Sequence, residues 1–402
     1  MKSATHRGVL RKGDGEQHRV TYAELFFDLV FVFAITQLSH ALLNHLSPRG
    51  ALEALVLFMA VWWAWIDTAW VTNWVDPNRA PARLMLLALM LLGLVISASL
   101  PTAFGDGALV FALAYATFQC GRSAVVAWML RGEHRTLQRN FYRILAWNVL
   151  TGAVWIAGAL ADDGARLWLW VLAMALDNFA PLVGFWTPFL GRSSTADWDV
   201  EGGHMAERCG LFLIIALGES ILVTGSTFAE MPWQWDNVAA FVVAFLGSVA
   251  MWWIYFDTGV ERGSERIVKS KNPGKLARFT YTYVHQIIVI GVIVCAVADE
   301  LALAHPGEPV HLSSGLVVLG GPALYVLGNG IFKRPLLNHF PLSHLMGLVL
   351  LVLVSMVAPF VSVLVLASAT TGVLVLVAIW ETIALQHLRR GIDSDLEPVK
   401  AD

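Results

Sequence analysis

The dominant pattern along the chain is a series of long apolar runs separated by short polar breaks, from Leu25 to Leu388. At 1.5 Å per residue, about 20 apolar residues form a helix that crosses the hydrocarbon of a bilayer. Breaking the chain at clusters of Pro, Gly and charged residues predicts twelve membrane-spanning helices. Their approximate ranges are 21–44, 51–75, 82–103, 107–130, 138–161, 167–190, 204–227, 237–260, 276–300, 313–332, 342–366 and 368–388.

The positively charged residues alternate with these breaks. Of the 27 Lys and Arg residues, 24 fall on the side that carries both chain ends. Arg49 and Arg166 fall on the other side, and Arg122 lies within a span. Because cytoplasmic loops carry the excess of Lys and Arg, the sequence predicts a multi-pass membrane protein with both termini in the cytoplasm.

The two halves of the chain resemble each other at a period of six helices. Trp62–Thr68 in the second span matches Trp252–Thr258 in the eighth, with Trp-Trp at the start and Asp-Thr at the end of both segments. Shorter matches pair Ala82–Leu84 with Ala277–Phe279, Tyr115 and Gln119 with Tyr325 and Asn329, and Asp177 with Glu381. Six helices return the chain to the same side, so this period predicts two parallel repeats.

The predicted fold is therefore an all-α integral membrane protein with about twelve transmembrane helices in two six-helix repeats. The first repeat covers residues 21–190 and the second covers residues 204–388, with a cytoplasmic connection at 191–203. Residues 1–20 form a basic cytoplasmic tail, and residues 389–402 form the other tail.

Composition supports the membrane assignment and excludes other classes. Hydrophobic residues make up 57% of the chain and charged residues 14%, against roughly 25% charged in soluble domains. This excludes a water-soluble enzyme, a disordered chain and a nucleic-acid binder with a basic face. Phosphate-loop, His-Glu-x-x-His and Cys-x-x-Cys motifs are missing, so we expect neither a cofactor nor a metal ion. The expected partners are the lipid bilayer and a small solute.

Charged residues within the predicted spans form two layers. The first layer lies toward the cytoplasmic ends and contains five acids and five arginines, which predicts an ion-pair network or a gate. Its members are Glu24, Asp28, Asp67, Arg83, Arg122, Arg143, Glu207, Arg208, Asp257 and Arg278. The second layer lies near mid-span and predicts either polar contacts between helices or a substrate and proton site. It consists of Asp177, Glu219, His285 and Glu381.

Three segments carry a family resemblance. They are Glu24–Ile35 (ELFFDLVFVFAI), Glu207–Ile221 (ERCGLF followed by LGESI) and the Trp-Trp-x-Tyr-Phe-Asp stretch ending at Asp257. These segments resemble motifs of the bacterial low-temperature-requirement A family, multi-span membrane proteins named from a growth phenotype in the cold. The resemblance extends over almost the whole chain and implies no particular substrate, cofactor or reaction. It strengthens Glu24, Asp28, Glu207, Arg208, Glu219 and Asp257 as functional candidates.

The leading hypothesis from the sequence is a secondary transporter, coupled to protons or another cation, that moves a small solute between two six-helix halves. In this hypothesis the mid-span layer forms the substrate and proton site, and the cytoplasmic layer forms the gate. A membrane-embedded enzyme acting on a lipid or lipid-linked substrate is one alternative. A channel or a non-catalytic membrane scaffold is another.

Overall fold

The computed structural model describes residues 8–11, 19–194, 201–257 and 272–395, and these residues form an all-helical structure without strands. The long helices are labelled α1 to α12 in chain order. They are α1 (Tyr22–Asn44), α2 (Pro48–Trp74), α3 (Ala80–Ser99), α4 (Ala108–Met129), α5 (Arg135–Leu160), α6 (Asp163–Phe179), α7 (Gly202–Ala229), α8 (Trp235–Phe256), α9 (Pro273–Ala304), α10 (Leu312–Leu337), α11 (Leu342–Ser355) and α12 (Val363–Asp395).

Ten of the described helices are long and apolar enough to cross a membrane. The all-helical, multi-span prediction is therefore confirmed, whereas the count of twelve spans stays a prediction. The two shorter helices are α6, with 17 residues, and α11, with 14. Each helix ends earlier than the span predicted from the sequence. Pro181 follows α6 and Pro359 follows α11, and proline has no backbone N–H to continue the helical hydrogen bonds.

Local sequence signals account for several helix starts. Thr21 caps α1 in a capping box with Glu24, whose carboxylate accepts from the Thr21 backbone N–H at 2.8 Å. Ser47 caps α2 just before Pro48, a residue whose missing donor is harmless at the first helical position. Asp162 caps α6 through the N–H of Ala165.

Helix α9 contains a wide turn that the sequence did not predict. Residues Arg278–Val284 form a π-helical segment between two α-helical parts. Within it, Nδ1 of His285 lies 2.8 Å from the carbonyl oxygen of Thr280, five residues earlier. Such segments are uncommon and are frequently found at functional sites.

The chain divides into two compact units. The first contains the described parts of Met1–Ile215 and Ile267–Gln286. Within it, α1 packs on α2 and α3, α4 runs along α5, α5 runs along α6, and α2 contacts both α4 and α6. Its interior is built around large aromatic side chains, each at most 1% exposed, whose rings supply most of the buried apolar surface. Examples are Trp62, Trp65, Trp155, Trp170 and Phe111.

The second unit contains the described parts of Ala216–Arg266 and Ile287–Asp402. Here α12 packs on α8, α10 and α11, and α10 also contacts α8 and α11. Helices α9 and α10 approach closely at glycines, since a Cβ added at Gly321 would lie 2.7 Å from the backbone nitrogen of Cys295. A Cβ added at Gly291 would lie 2.6 Å from the backbone nitrogen of Tyr325. Small residues at such contacts let membrane helices pack backbone to backbone.

The glycines of α10 provide a paired test of this contact. We expect Gly321→Ala to destabilise the protein by roughly 1–3 kcal/mol, because the added methyl group overlaps the Cys295 backbone. Gly320→Ala is the control, since a Cβ there meets no atom within 4 Å and should add up to about 1 kcal/mol of helix stability. Thermal unfolding of both variants in one detergent measures the difference. Equal midpoints for the two variants would contradict the close packing of α9 and α10.

Candidate functional site

Two acids of α1 pair with two bases of α7 inside the first unit. His204 Nε2 lies 2.8 Å from Glu24 Oε1, and Arg208 Nη2 donates to Asp28 Oδ1 at 2.8 Å. All four side chains are fully buried. The spacing of four residues on each helix places the two pairs one helical turn apart. We call these four residues the charge ladder.

Two further residues, Trp65 and Arg11, complete the surroundings of the ladder. The indole N–H of Trp65 donates to Asp28 Oδ1 at 2.8 Å, and its ring lies 5.7 Å from the Arg208 guanidinium carbon. Arg11 donates to Glu24 at 3.2 Å. The sequence pattern did not indicate His204 or Arg11 as partners of these acids, although His204 precedes Arg208 by the same interval that separates Glu24 from Asp28.

The ladder also contains buried polar atoms without partners in the described part of the chain. These atoms are Asp28 Oδ2 and the Nε and Nη1 atoms of Arg208. An incompletely bonded buried ion pair contributes little net stability, but removing one partner leaves an uncompensated charge. Through these contacts and the Trp65 hydrogen bond, the ladder joins α1 to the first turns of α7 and to α2.

A second acid–arginine pair, Asp67 with Arg122, lies between α2 and α4. Arg122 Nη2 donates to Asp67 Oδ2 at 2.9 Å, while its other terminal nitrogen lies 3.3 Å from the Ala64 carbonyl oxygen. The arginine side chain is 1% exposed and the aspartate side chain is 23% exposed. The pair is therefore closed on the arginine side and accessible on the carboxylate side.

The accessible side of this pair faces a cavity within the first unit, with about 460 Å³ of empty space that is partly open to the outside. Its wall is mostly aromatic, with two arginines and one carboxylate as the charged groups. The lining residues are Trp63, Asp67, Trp70, Val71, Trp74, Arg122, Phe141, Ile144, Pro181, Phe185, Arg278 and Thr282. An apolar pocket with a few convergent polar groups is the usual form of a small-molecule site.

A chain of buried polar side chains connects this cavity with Asp177 on α6. The hydroxyl of Tyr115 donates to Asp177 Oδ2 at 3.2 Å and accepts from Gln119 Nε2 at 3.1 Å. The Gln119 side chain also lies near the Asp67 carboxylate, whose hydrogen bond comes from Arg122. Trp155 donates to Asp177 as well, at 3.2 Å. We call Asp177, Tyr115, Gln119 and Asp67 the polar chain.

Two of the predicted mid-span residues lie in the second unit. Glu381 accepts from Lys333 Nζ at 2.7 and 2.8 Å, and the same ammonium donates to the Ile254 carbonyl oxygen at 2.5 Å. Glu219 is 4% exposed, and its neighbour Ser220 donates to Asp299 at 3.4 Å. Sequence analysis placed Lys333 in a cytoplasmic loop because it follows the predicted end of its span, and it did not single out Asp299.

The other two mid-span residues, Asp177 and His285, lie in the first unit. Asp177 belongs to the polar chain, and His285 contacts the Thr280 carbonyl in the π-helical segment. Each of the four predicted residues is therefore buried, with contacts of its own. Their assembly into one substrate and proton site stays a prediction.

The remaining members of the predicted cytoplasmic layer bind neutral groups. Arg83 donates to the Asn78 carbonyl, Arg143 to the Leu190 carbonyl and Arg278 to the Pro181 carbonyl. The exposed Glu207 accepts from the backbone N–H of Val20, and in the second unit Asp257 accepts from Thr382. Within the predicted layer, the described acid–arginine pairs are Asp28 with Arg208 and Asp67 with Arg122.

Metal binding has no support in the part of the chain that the structure describes. No group of three or more His, Cys, Asp or Glu side chains there could hold a metal ion. Cys209 and Cys295 are buried free thiols, and Cys120 is a partly buried one.

The fold and the buried charges define a class: a multi-pass helical membrane protein with ion pairs and polar chains inside its helical units. The chain belongs to the bacterial low temperature requirement A protein (LtrA) family, whose model matches residues 19–379. It is also 39% identical, over 391 residues, to an uncharacterized protein of Rhizobium meliloti (strain 1021), covering 96% of this chain and 94% of that protein. No solved structure matches the chain significantly.

The charge ladder predicts a large cost for removing one partner. Arg208→Gln leaves the Asp28 carboxylate buried without its cation, so we expect a loss of about 3–5 kcal/mol in unfolding free energy. Glu207→Gln, at the adjacent exposed position, should change stability by less than about 0.5 kcal/mol. Thermal unfolding in detergent, monitored by size-exclusion chromatography, compares the two variants.

A double variant separates charge from shape in the same experiment. Asp28→Asn combined with Arg208→Gln removes both charges and keeps an oxygen that accepts from Trp65. We expect it to recover about half or more of the stability lost in Arg208→Gln, because neutral groups cost less to bury. A double variant no more stable than the single one would show that the ladder stabilises through shape rather than charge balance.

Proposed function

We propose that this protein is a proton-coupled secondary transporter of a small solute in the bacterial cytoplasmic membrane. The observation that carries the proposal is the polar chain, which runs by hydrogen bonds from the buried acid Asp177 through Tyr115 to Gln119 and ends near Asp67 in the wall of an aromatic cavity. A stable scaffold has no need of a partly exposed carboxylate that faces a cavity and pairs with a buried arginine. A transporter needs such a group, since it can exchange a proton and change its partner.

The polar chain supports a specific coupling step. A proton that enters the cavity binds the Asp67 carboxylate and neutralises it, which weakens the ion pair with Arg122. The Oε1 atom of Gln119 is buried without a partner among the described residues, so it can accept the new Asp67 O–H once the amide rotates. That rotation removes the Gln119 donor from Tyr115 and changes the hydrogen bond to Asp177. Solute binding and proton binding are thereby linked through one set of contacts.

The proposed site lies toward the predicted cytoplasmic side. Asp67 is near the end of α2 and Arg278 is near the start of α9, and both ends face the cytoplasm in the orientation with cytoplasmic termini. The cavity is then the inward-facing entrance for the solute. The charge ladder is proposed to hold helix ends while other contacts change.

The proposed architecture is two parallel repeats of six helices, with α6 and α11 as the sixth and eleventh spans. Matching helix pairs support it: α2 packs on α4 and α6 as α8 packs on α10 and α12, and α5 packs between α4 and α6 as α11 packs between α10 and α12. The acids Asp177 and Glu381 lie at equivalent positions and are both buried. We propose that Asp177, Glu219, His285 and Glu381 supply the buried ionisable groups of the transport cycle.

Tyr115 offers a direct test of proton coupling. Proteoliposomes of the full-length protein are loaded with the pH indicator pyranine. Three membrane-impermeant probes are then added separately: the anion benzenesulfonate, the zwitterion tyrosine and the cation choline. We expect at least one probe to cause a protein-dependent internal pH change. Tyr115→Phe should slow that change by about tenfold or more, because it breaks the polar chain between Asp177 and Gln119.

Tyr325→Phe is the matched control. Tyr325 is equally buried, and its hydroxyl donates to the Met251 carbonyl instead of a carboxyl group. It should retain the wild-type rate within about a factor of two, since it loses one hydrogen bond of ordinary strength. Equal slowing by both substitutions, or no protein-dependent signal with any probe, counts against the proposed function.

A further inference from the structure

The charges around the aromatic cavity are unequal. Arg122 and Arg278 both line it, whereas Asp67 is the single carboxylate among the lining residues, and it is already paired with Arg122. Arg278 donates to the Pro181 carbonyl and pairs with no carboxylate in the described part of the chain. The lining therefore carries one guanidinium whose charge is not balanced by an acid.

A second observation points to the same kind of ligand. Trp63 lines the cavity and is 3% exposed, yet its indole N–H is buried and has no hydrogen-bond partner within the described residues. A buried donor without an acceptor costs roughly 1–3 kcal/mol, so it favours a ligand that brings an acceptor. Indole N–H groups can only donate, so an ammonium group cannot be their partner, whereas a carboxylate or sulfonate oxygen can.

The rest of the wall is apolar and aromatic. Trp70 is 6% exposed and Phe141 is 2% exposed, and Trp74 and Phe185 complete this part of the lining. Rings of this kind bind flat or apolar bodies well.

We infer that the cavity binds a small organic anion with an apolar or aromatic body. The anionic group accepts from Arg278 and from the Trp63 indole, and the body lies against the aromatic wall. This inference rests on the proposed function for its role as substrate, and the class of solute is then an organic acid that enters together with a proton. Protonation of Asp67 frees Arg122 as a further donor to the anion.

The electrostatic surroundings of Asp67 support this coupling. The groups that act on it from the packed helices are Arg122, Gln119 and Tyr115 of α4, Asp177 of α6, and Tyr283 and Arg278 of α9. Two of them are cations and one is an anion. A bound anion adds negative charge next to Asp67, which favours proton uptake by that carboxyl group, so anion and proton bind cooperatively.

Binding to the purified full-length protein tests the inference without requiring transport. Benzoate, benzyl alcohol and benzylamine carry one ring each and differ mainly in charge at neutral pH. Isothermal titration in lipid nanodiscs should show benzoate binding at least about tenfold more tightly than the other two, as expected for one charge-assisted hydrogen bond. Tighter binding of benzylamine, or no binding of benzoate, overturns the inference.

Four variants identify the residues responsible. Arg278→Gln should weaken benzoate binding about tenfold, and Arg278→Lys should restore part of it. The matched control is Arg83→Gln, since Arg83 also donates to a backbone carbonyl but lies outside the lining. Trp63→Phe keeps a ring and removes the donor, so affinity should fall about threefold to tenfold.

Asp67→Asn provides a readout that structural damage cannot imitate. Removing the carboxylate frees Arg122, so benzoate binding should become several times tighter, and the proton uptake that accompanies binding should disappear. Weaker binding in Asp67→Asn, together with unchanged binding in Arg278→Gln, would falsify the assignment.

Transport is measured separately, as benzenesulfonate uptake into proteoliposomes, because this strong acid does not cross lipid as a neutral molecule. Benzoate binding without benzenesulfonate uptake keeps the anion site and contradicts the transporter. Uptake of choline without benzoate binding supports the transporter and overturns the anion site.

Discussion

The structure depends on one constraint: a charge placed inside a membrane protein loses its water and must find partners among the helices around it. In the first unit this requirement is met at three levels. The charge ladder pairs Glu24 and Asp28 with His204 and Arg208, and the next pair joins Asp67 with Arg122. Further along, Asp177 is bonded by neutral donors only, among them Tyr115 and Trp155. Each acid of the ladder has a basic partner, whereas the hydrogen bonds described for Asp177 come from neutral groups.

This gradient gives the buried groups different roles. A fully enclosed pair such as Asp28 with Arg208 cannot change partners without opening the helix contacts around it. Asp67 can change partners, because its carboxylate reaches the cavity while Arg122 stays buried. Tryptophans of α2 lie both in the charge ladder and in the cavity wall. Trp65 donates to Asp28 inside the ladder, and Trp63 brings an unpartnered donor to the cavity wall. Two other tryptophans of α2, Trp62 and Trp70, donate to Thr282 of α9.

Much of the architecture follows from the sequence, and the functional arrangement follows from it only in part. The apolar runs predict every long helix to within a few residues, except where α6 and α11 end early at Phe179 and Ser355. The predicted layers contain both acid–arginine pairs, since Asp28, Arg208, Asp67 and Arg122 are charges within apolar runs. His204, Lys333 and Gln119 were missed as partners. In the sequence alone, the amide of Gln119, the imidazole of His204 and the span-end lysine Lys333 look like any other polar residues. Their roles as partners become visible only when the neighbouring helices are known.

By itself, the sequence determined that this protein is helical and lies in a membrane. The reason is that the free energy of placing a segment in the bilayer depends mainly on the hydrophobic and charged residues of that segment. The sequence also identified which helices carry charges at depth. The tertiary structure decided which charges meet, because side chains from α2, α4, α5 and α9 that are far apart in the chain converge on one cavity only after the helices pack. Residue order gives the spacing of groups along one helix. Their pairing across helices depends on rotation and depth, which are set by the close fit of small and aromatic residues at each contact.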